Sequence, residues 1–164
     1  MTFTLTLTSK RHATALSLAM AALLAATSSL AQSPAPKAVP DFLASAAATK
    51  GAVLSESGLV YLSLKDGQGP SPAALDTVRV HYRGTLTDGK EFDSSYSRGQ
   101  PATFPLNRVI KCWTEGVQKM KVGGKARLTC PASIAYGERG TPGGPIPPNA
   151  VLQFEVELLG IMKP

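Results

Sequence analysis

Few side chains in this 164-residue sequence could carry out chemistry. There are two histidines, His12 and His81, and two cysteines, Cys112 and Cys130. The eleven acids are scattered, with no spacing that would gather ligands around a metal. GxSxG, P-loop, HExxH and Rossmann glycine patterns are all missing. Hydrolytic, kinase and redox chemistries therefore lack their parts, and neither a metal nor a cofactor is expected. What the chain does offer is a set of aromatics near polar turns: Tyr82, Phe92, Trp113, Tyr136 and Phe154. Any one of them alone reads as core, so their meaning as a set depends on the elements that hold them.

Those elements can be read from periodicity. Thr77 to Leu86 alternates, with Val78, Val80 and Tyr82 on one face and Arg79, His81 and Arg83 on the other, so His81 reads as a surface residue on a strand. Asp88-Gly89 suits a type I′ turn leading into Glu91-Phe92. Leu59 to Leu64, Lys125 to Cys130 and Val151 to Leu159 also read as strands, and Thr103-Phe104 as a return to the sheet. In Cys112 to Met120, Trp113, Val117 and Met120 make one apolar helical stripe. Ser94 to Pro101 and the Gly/Pro-rich stretch 137–149 read as loops, and Asp41 to Ala52 as a short Ala-rich helix. The expected fold is α+β, a twisted antiparallel sheet of about five strands packed on one short α-helix.

Composition limits the partners. The chain is 43% hydrophobic and 17% charged, which excludes a disordered or fibrous protein and allows one compact domain. The net charge of +6 includes Lys10 and Arg11 in a segment expected to be removed, so no nucleic-acid partner is expected. Residues 1–31 run polar, then basic, then apolar, and end in Ser29-Leu30-Ala31, the order of a cleavable export signal. The apolar stretch is shorter than the ~20 residues a membrane span needs, so no stable membrane association is expected. Residues 32–57 read as a linker and short helix, and 58–164 as the domain. Two cysteines in an exported chain fit one disulfide, with two buried free thiols as the other reading.

Five segments, in order, resemble the FKBP-type peptidyl-prolyl cis-trans isomerases. They are Val80-His81-Tyr82-Arg83-Gly84, Asp88 to Ser95 (DGKEFDSS), Val109 to Gly116 (VIKCWTEG), Ala135-Tyr136-Gly137 and Ile146 to Ala150 (IPPNA). The likeness covers about Gly58 to Ile161. It implies a non-covalent rotamase with an apolar pocket for proline. Trp113 would form the floor, with Tyr82, Phe92, Val109, Ile110, Ile146 and Phe154 as walls. The Tyr136 hydroxyl and the Ile110 backbone N–H would each take a substrate carbonyl. Asp93 would be the one charged group at the edge, with Arg98 as its partner, an ion pair holding Asp93 and Tyr136 in place. Cys112 and Cys130 fall where the helix start and a central strand should meet, which favours the disulfide.

The sequence departs from the family in four places. Ala102 stands where a bulky pocket residue is usual, so one wall should be lower. Arg108 replaces an acid, Cys112 replaces a glycine, and Gly144-Pro145 lengthens the loop before Ile146. The expected partners are unfolded or partly folded proline-containing polypeptides, and macrolide inhibitors of the family. A monomer is expected, in the periplasm or else secreted. A pure capture module with the same pocket is the alternative reading.

Overall fold

The structure is a computed structural model that describes residues 39–163. The expected export signal and most of the linker lie outside the described residues. The described part opens with α1 (Val39–Ala47), β1 (Ala52–Leu54), β2 (Val60–Lys65), β3 (Thr77–Leu86), β4 (Glu91–Ser94) and β5 (Ala102–Pro105). After a 3₁₀ turn at Leu106–Arg108 come α2 (Lys111–Gln118), β6 (Lys125–Cys130), a second 3₁₀ turn at Ala132–Ile134 and β7 (Leu152–Met162). No described helix is long and apolar enough to cross a membrane.

All seven strands join one antiparallel sheet, in the order β1-β2-β6-β7-β3-β4, with β5 also on β3. β3 organises the sheet. One edge pairs with β7 along its whole length, while the other pairs with β5 from Thr77 to Val80 and with β4 from Arg83 to Thr85. The alternation read from the sequence explains why the sheet has one dry face. Val78, Val80 and Tyr82 of β3 and Leu152, Phe154, Val156 and Leu158 of β7 are all buried. Against them α2 lays Cys112, Trp113 and Val117, followed by Met120 just past the helix end. A disulfide between Cys112 and Cys130, Cα atoms 5.8 Å apart, fastens the first turn of α2 to β6. Both cysteines are fully buried.

Two expectations need correction. The helix expected over Asp41–Ala52 stops at Ala47, because Thr49 donates its hydroxyl to the Ser45 carbonyl and the chain turns back from Thr49 to Ala52. Ala52 then starts β1 opposite Leu62, a three-residue strand too short to leave an alternating pattern. The β3–β4 hairpin forms, but not through a type I′ turn at Asp88-Gly89. Gly89 alone takes positive φ (85°), its N–H bonds the Leu86 carbonyl, and Leu86 bonds Lys90 across a three-residue loop. The Asp88 carboxylate accepts the Lys90 N–H, which favours this wider loop over the two-residue one.

Candidate functional site

Beyond the concave end of the sheet, β3, β4, β5, α2 and β7 enclose a hollow of about 460 Å³. Its floor is Trp113. The indole meets Tyr82, Phe104 and Phe154 edge-on, at centroid distances of 5.2, 5.5 and 5.4 Å and interplanar angles of 87° in each case. Edge-to-face contact sets the positive rim of one ring against the negative face of another, so three such contacts hold the indole at a fixed tilt. Phe92 joins from β4, perpendicular to Phe154 at 5.5 Å. It can lie there because Gly84 faces it on β3, where a Cβ would meet the Phe92 ring at 2.5 Å. The indole Nε1 is buried with no acceptor among the described residues.

Val109 and Ile110, half-buried, form the wall at the start of α2. Ile110 is the N-cap of that helix, and its carbonyl accepts the Trp113 and Thr114 N–H groups at 2.9 and 3.1 Å. Its own N–H donates to no group of the described residues, which leaves a donor open at the edge of the hollow.

Side-chain ties hold the rim at β4. The Asp93 carboxylate accepts from the Tyr82 hydroxyl and from Arg98 Nη1, while Arg98 Nη2 donates to the Tyr82 oxygen at 2.9 Å. The guanidinium also lies 5.5 Å from the Tyr82 ring centre. Burial pushes the Asp93 carboxyl up, but the hydrogen bonds from Tyr82 and Arg98 outweigh it and hold the group below its ordinary value. Burial and the adjacent carboxylate raise the Tyr82 phenol. The Arg98 ion pair therefore fixes Tyr82, and not Tyr136 as expected. Tyr136 lines the hollow from the far side, 40% exposed and with no side-chain hydrogen bond among the described residues. Burial, then the charge of Asp93, raises its phenol.

Most of the expected site residues meet around this hollow: Tyr82, Phe92, Asp93, Val109, Ile110, Trp113, Tyr136 and Phe154. Ile146 is not among the lining residues but sits in the same buried cluster as Tyr82, Trp113 and Phe154, with its N–H and carbonyl both bonded to Thr141 (3.0 and 2.9 Å). Two lining residues were not anticipated. Phe104 lies two residues beyond Ala102 on the same strand face and supplies bulk to the wall expected to be low. Arg108, at the end of a 3₁₀ turn, adds a second charged group to the lining in addition to Asp93. Alternation along β5 could have found Phe104; no periodic signal marks Arg108.

His81 is also more than a surface residue. It is half-buried, its Nδ1 lies 2.9 Å from the Ser95 hydroxyl, and its ring stacks on Tyr96 at 4.6 Å. Ser95 accepts the Tyr82 N–H at 2.8 Å, so this cluster braces the β3 segment behind the hollow. A second cleft, of about 280 Å³, lies near Tyr61, Lys65, Lys121 and Lys125 and contains none of the expected site residues.

A family model described as FKBP-type peptidyl-prolyl cis-trans isomerase matches residues 69–159. The FKBP-type peptidyl-prolyl cis-trans isomerase FkpA of Aeromonas hydrophila is 57% identical over 124 residues, 76% of this chain and 46% of that protein. FkpA of Escherichia coli strain K12 is 53% identical over 112 residues, 68% of this chain and 41% of that protein. The crystal structure of FkpA from Escherichia coli aligns with a TM-score of 0.72 at 49% identity, covering 74% of this chain and 56% of that one. A peptidyl-prolyl cis-trans isomerase from Pseudomonas syringae aligns with a TM-score of 0.70 at 40% identity, covering 76% and 90%. The chain spans about half the length of the curated relatives it matches.

Proposed function

The chain belongs to the FKBP-type peptidyl-prolyl cis-trans isomerase family, and from that membership we propose that it accelerates Xaa–Pro rotation while exported proteins fold. The observation that carries the reading is the indole-floored hollow with an open backbone donor at one edge and a tied carboxylate at the other.

The physical argument needs no nucleophile. Resonance gives the amide C–N bond partial double-bond character and a rotation barrier of about 18–20 kcal/mol. The planar amide is strongly dipolar, and the twisted one has lost conjugation and much of that dipole. Water therefore stabilises the ground state more than the transition state. A pyrrolidine ring seated on Trp113 among Tyr82, Phe104 and Phe154 leaves that water behind. The Ile110 N–H and the Tyr136 hydroxyl are the donors for the flanking carbonyls and can favour the twisted geometry. Uncatalysed isomerisation takes tens of seconds, slow enough to limit folding. The export reading rests on residues 1–31, and it places the clients among other exported chains.

The test follows cis-to-trans relaxation of a Leu-Pro tetrapeptide with the full chain, alongside refolding of a protein whose slow phase is proline-limited. Acceleration of both supports the reading. Suppressed client aggregation with no acceleration of either would turn it into the capture reading.

A further inference from the structure

We propose that Arg108 makes this site select peptides carrying a carboxylate next to the proline. The inference rests on the isomerase reading and names its substrate class. Arg108 lines the hollow beside Val109 and Ile110, is exposed, and makes no hydrogen bond or ion pair with the described residues. The charge of Asp93, across the same hollow, is already matched by Arg98. One uncompensated guanidinium therefore sets the sign of the wall.

Two neighbours share that sign. Lys111 is exposed at the first position of α2, and the helix brings its positive end to the same place with no acidic residue in its first turn. Arg108 and Lys111 thus bracket Ile110, whose free N–H is the proposed anchor for a peptide carbonyl. A peptide anchored there presents the residues flanking its proline to a positive field. A guanidinium meets a carboxylate as a planar fork, so Glu or Asp gains charge-assisted hydrogen bonds, whereas Lys or Arg is repelled.

The test uses the full chain and five otherwise identical tetrapeptides: Glu or Lys directly before proline, Glu or Lys directly after it, and a Leu-Pro reference. Two quantities are measured, kcat/KM for isomerisation and Kd from the fluorescence of Trp113, the chain's single tryptophan. At low salt, in at least one position, Glu is expected to give a kcat/KM about fivefold to tenfold higher than Lys and a Kd lower by the same factor. That ratio should shrink to within about twofold at about 0.5 M salt. Arg108→Glu should invert the order, and Arg108→Lys should keep it with a smaller ratio. Glu and Lys peptides equal within about twofold at both positions in low salt, or a ratio unmoved by Arg108→Glu, overturns the proposal. If the Leu-Pro peptide is not accelerated, the isomerase reading falls instead, and the Kd ratio still decides the charge selection.

Discussion

The two rims of the hollow are built differently. At the β4 rim, Asp93, Arg98 and Tyr82 tie one another through side chains, and Ser95 and His81 brace the strand behind them. At the opposite rim the tyrosine side chain hangs without a bond, and the loop beneath it is held by backbone. Gly140 N–H reaches the Tyr136 carbonyl, Asn149 N–H reaches the Gly137 carbonyl, and Thr141 and Ile146 bond each other. Asn149 is the one described non-glycine with positive φ (56°). Under the proposed function the contrast is a division of labour: the tied rim would fix the shape of the hollow, and the other would offer a hydroxyl free to follow a carbonyl as the amide turns.

The sharpest way to break that comparison is Asp93→Val. It removes the acceptor that Tyr82 and Arg98 share, and a misplaced wall should cost about tenfold to hundredfold in kcat/KM on a prolyl peptide. A loss under about twofold would mean that the ties do not set the shape. Next comes Gly140→Ala, which tests the backbone rim. A Cβ there would meet the Ile146 carbonyl oxygen at 2.3 Å, so urea unfolding should show a loss of about 1–3 kcal/mol. Tyr136→Phe removes a hydroxyl that bonds nothing among the described residues. Stability should stay within about 0.5 kcal/mol, while kcat/KM falls about threefold to tenfold, the worth of one neutral hydrogen bond.

The smallest effect concerns pH. Asp93 is held below its ordinary value, so it is ionised throughout the neutral range. Tyr82 and Tyr136 are raised, so both keep their protons there. Activity should therefore vary by less than about twofold between about pH 6 and about pH 9. In acid the sign is fixed: a carboxyl with a depressed folded-state pKa stabilises above its unfolded value, and that contribution is lost as pH falls through the folded one. A bell-shaped profile centred near neutrality would contradict the proposed mechanism, which transfers no proton.

What could be read beforehand followed burial on a regular lattice. β3 and β7 each place alternate residues against one core, so Val80, Tyr82, Phe154 and Val156 declare their face without any knowledge of their neighbours. Trp113 and Val117 do the same at helical spacing. The parts that escaped depend on where separate segments meet. Phe104 reaches the hollow because β5 pairs with the first half of β3, and Arg108 because a 3₁₀ turn carries it to the rim. The seat of Ile146 is set by two bonds to Thr141, a contact within a loop whose Gly and Pro content signals irregularity but not direction. Likewise the partner of Arg98 on the ring side, Tyr82 or Tyr136, is decided by the course of the β4–β5 connection, which no periodicity encodes.

The link from Cys112 to Cys130 sits immediately before the floor tryptophan, and neither sulfur touches solvent. A mild reductant must reach sulfur to act, so it can only attack molecules in which α2 has momentarily lifted from β6. The rate at which thiols can be trapped under such a reductant thus tracks the fraction of time those excursions occupy, giving a chemical gauge of how loosely the bottom of the hollow is seated.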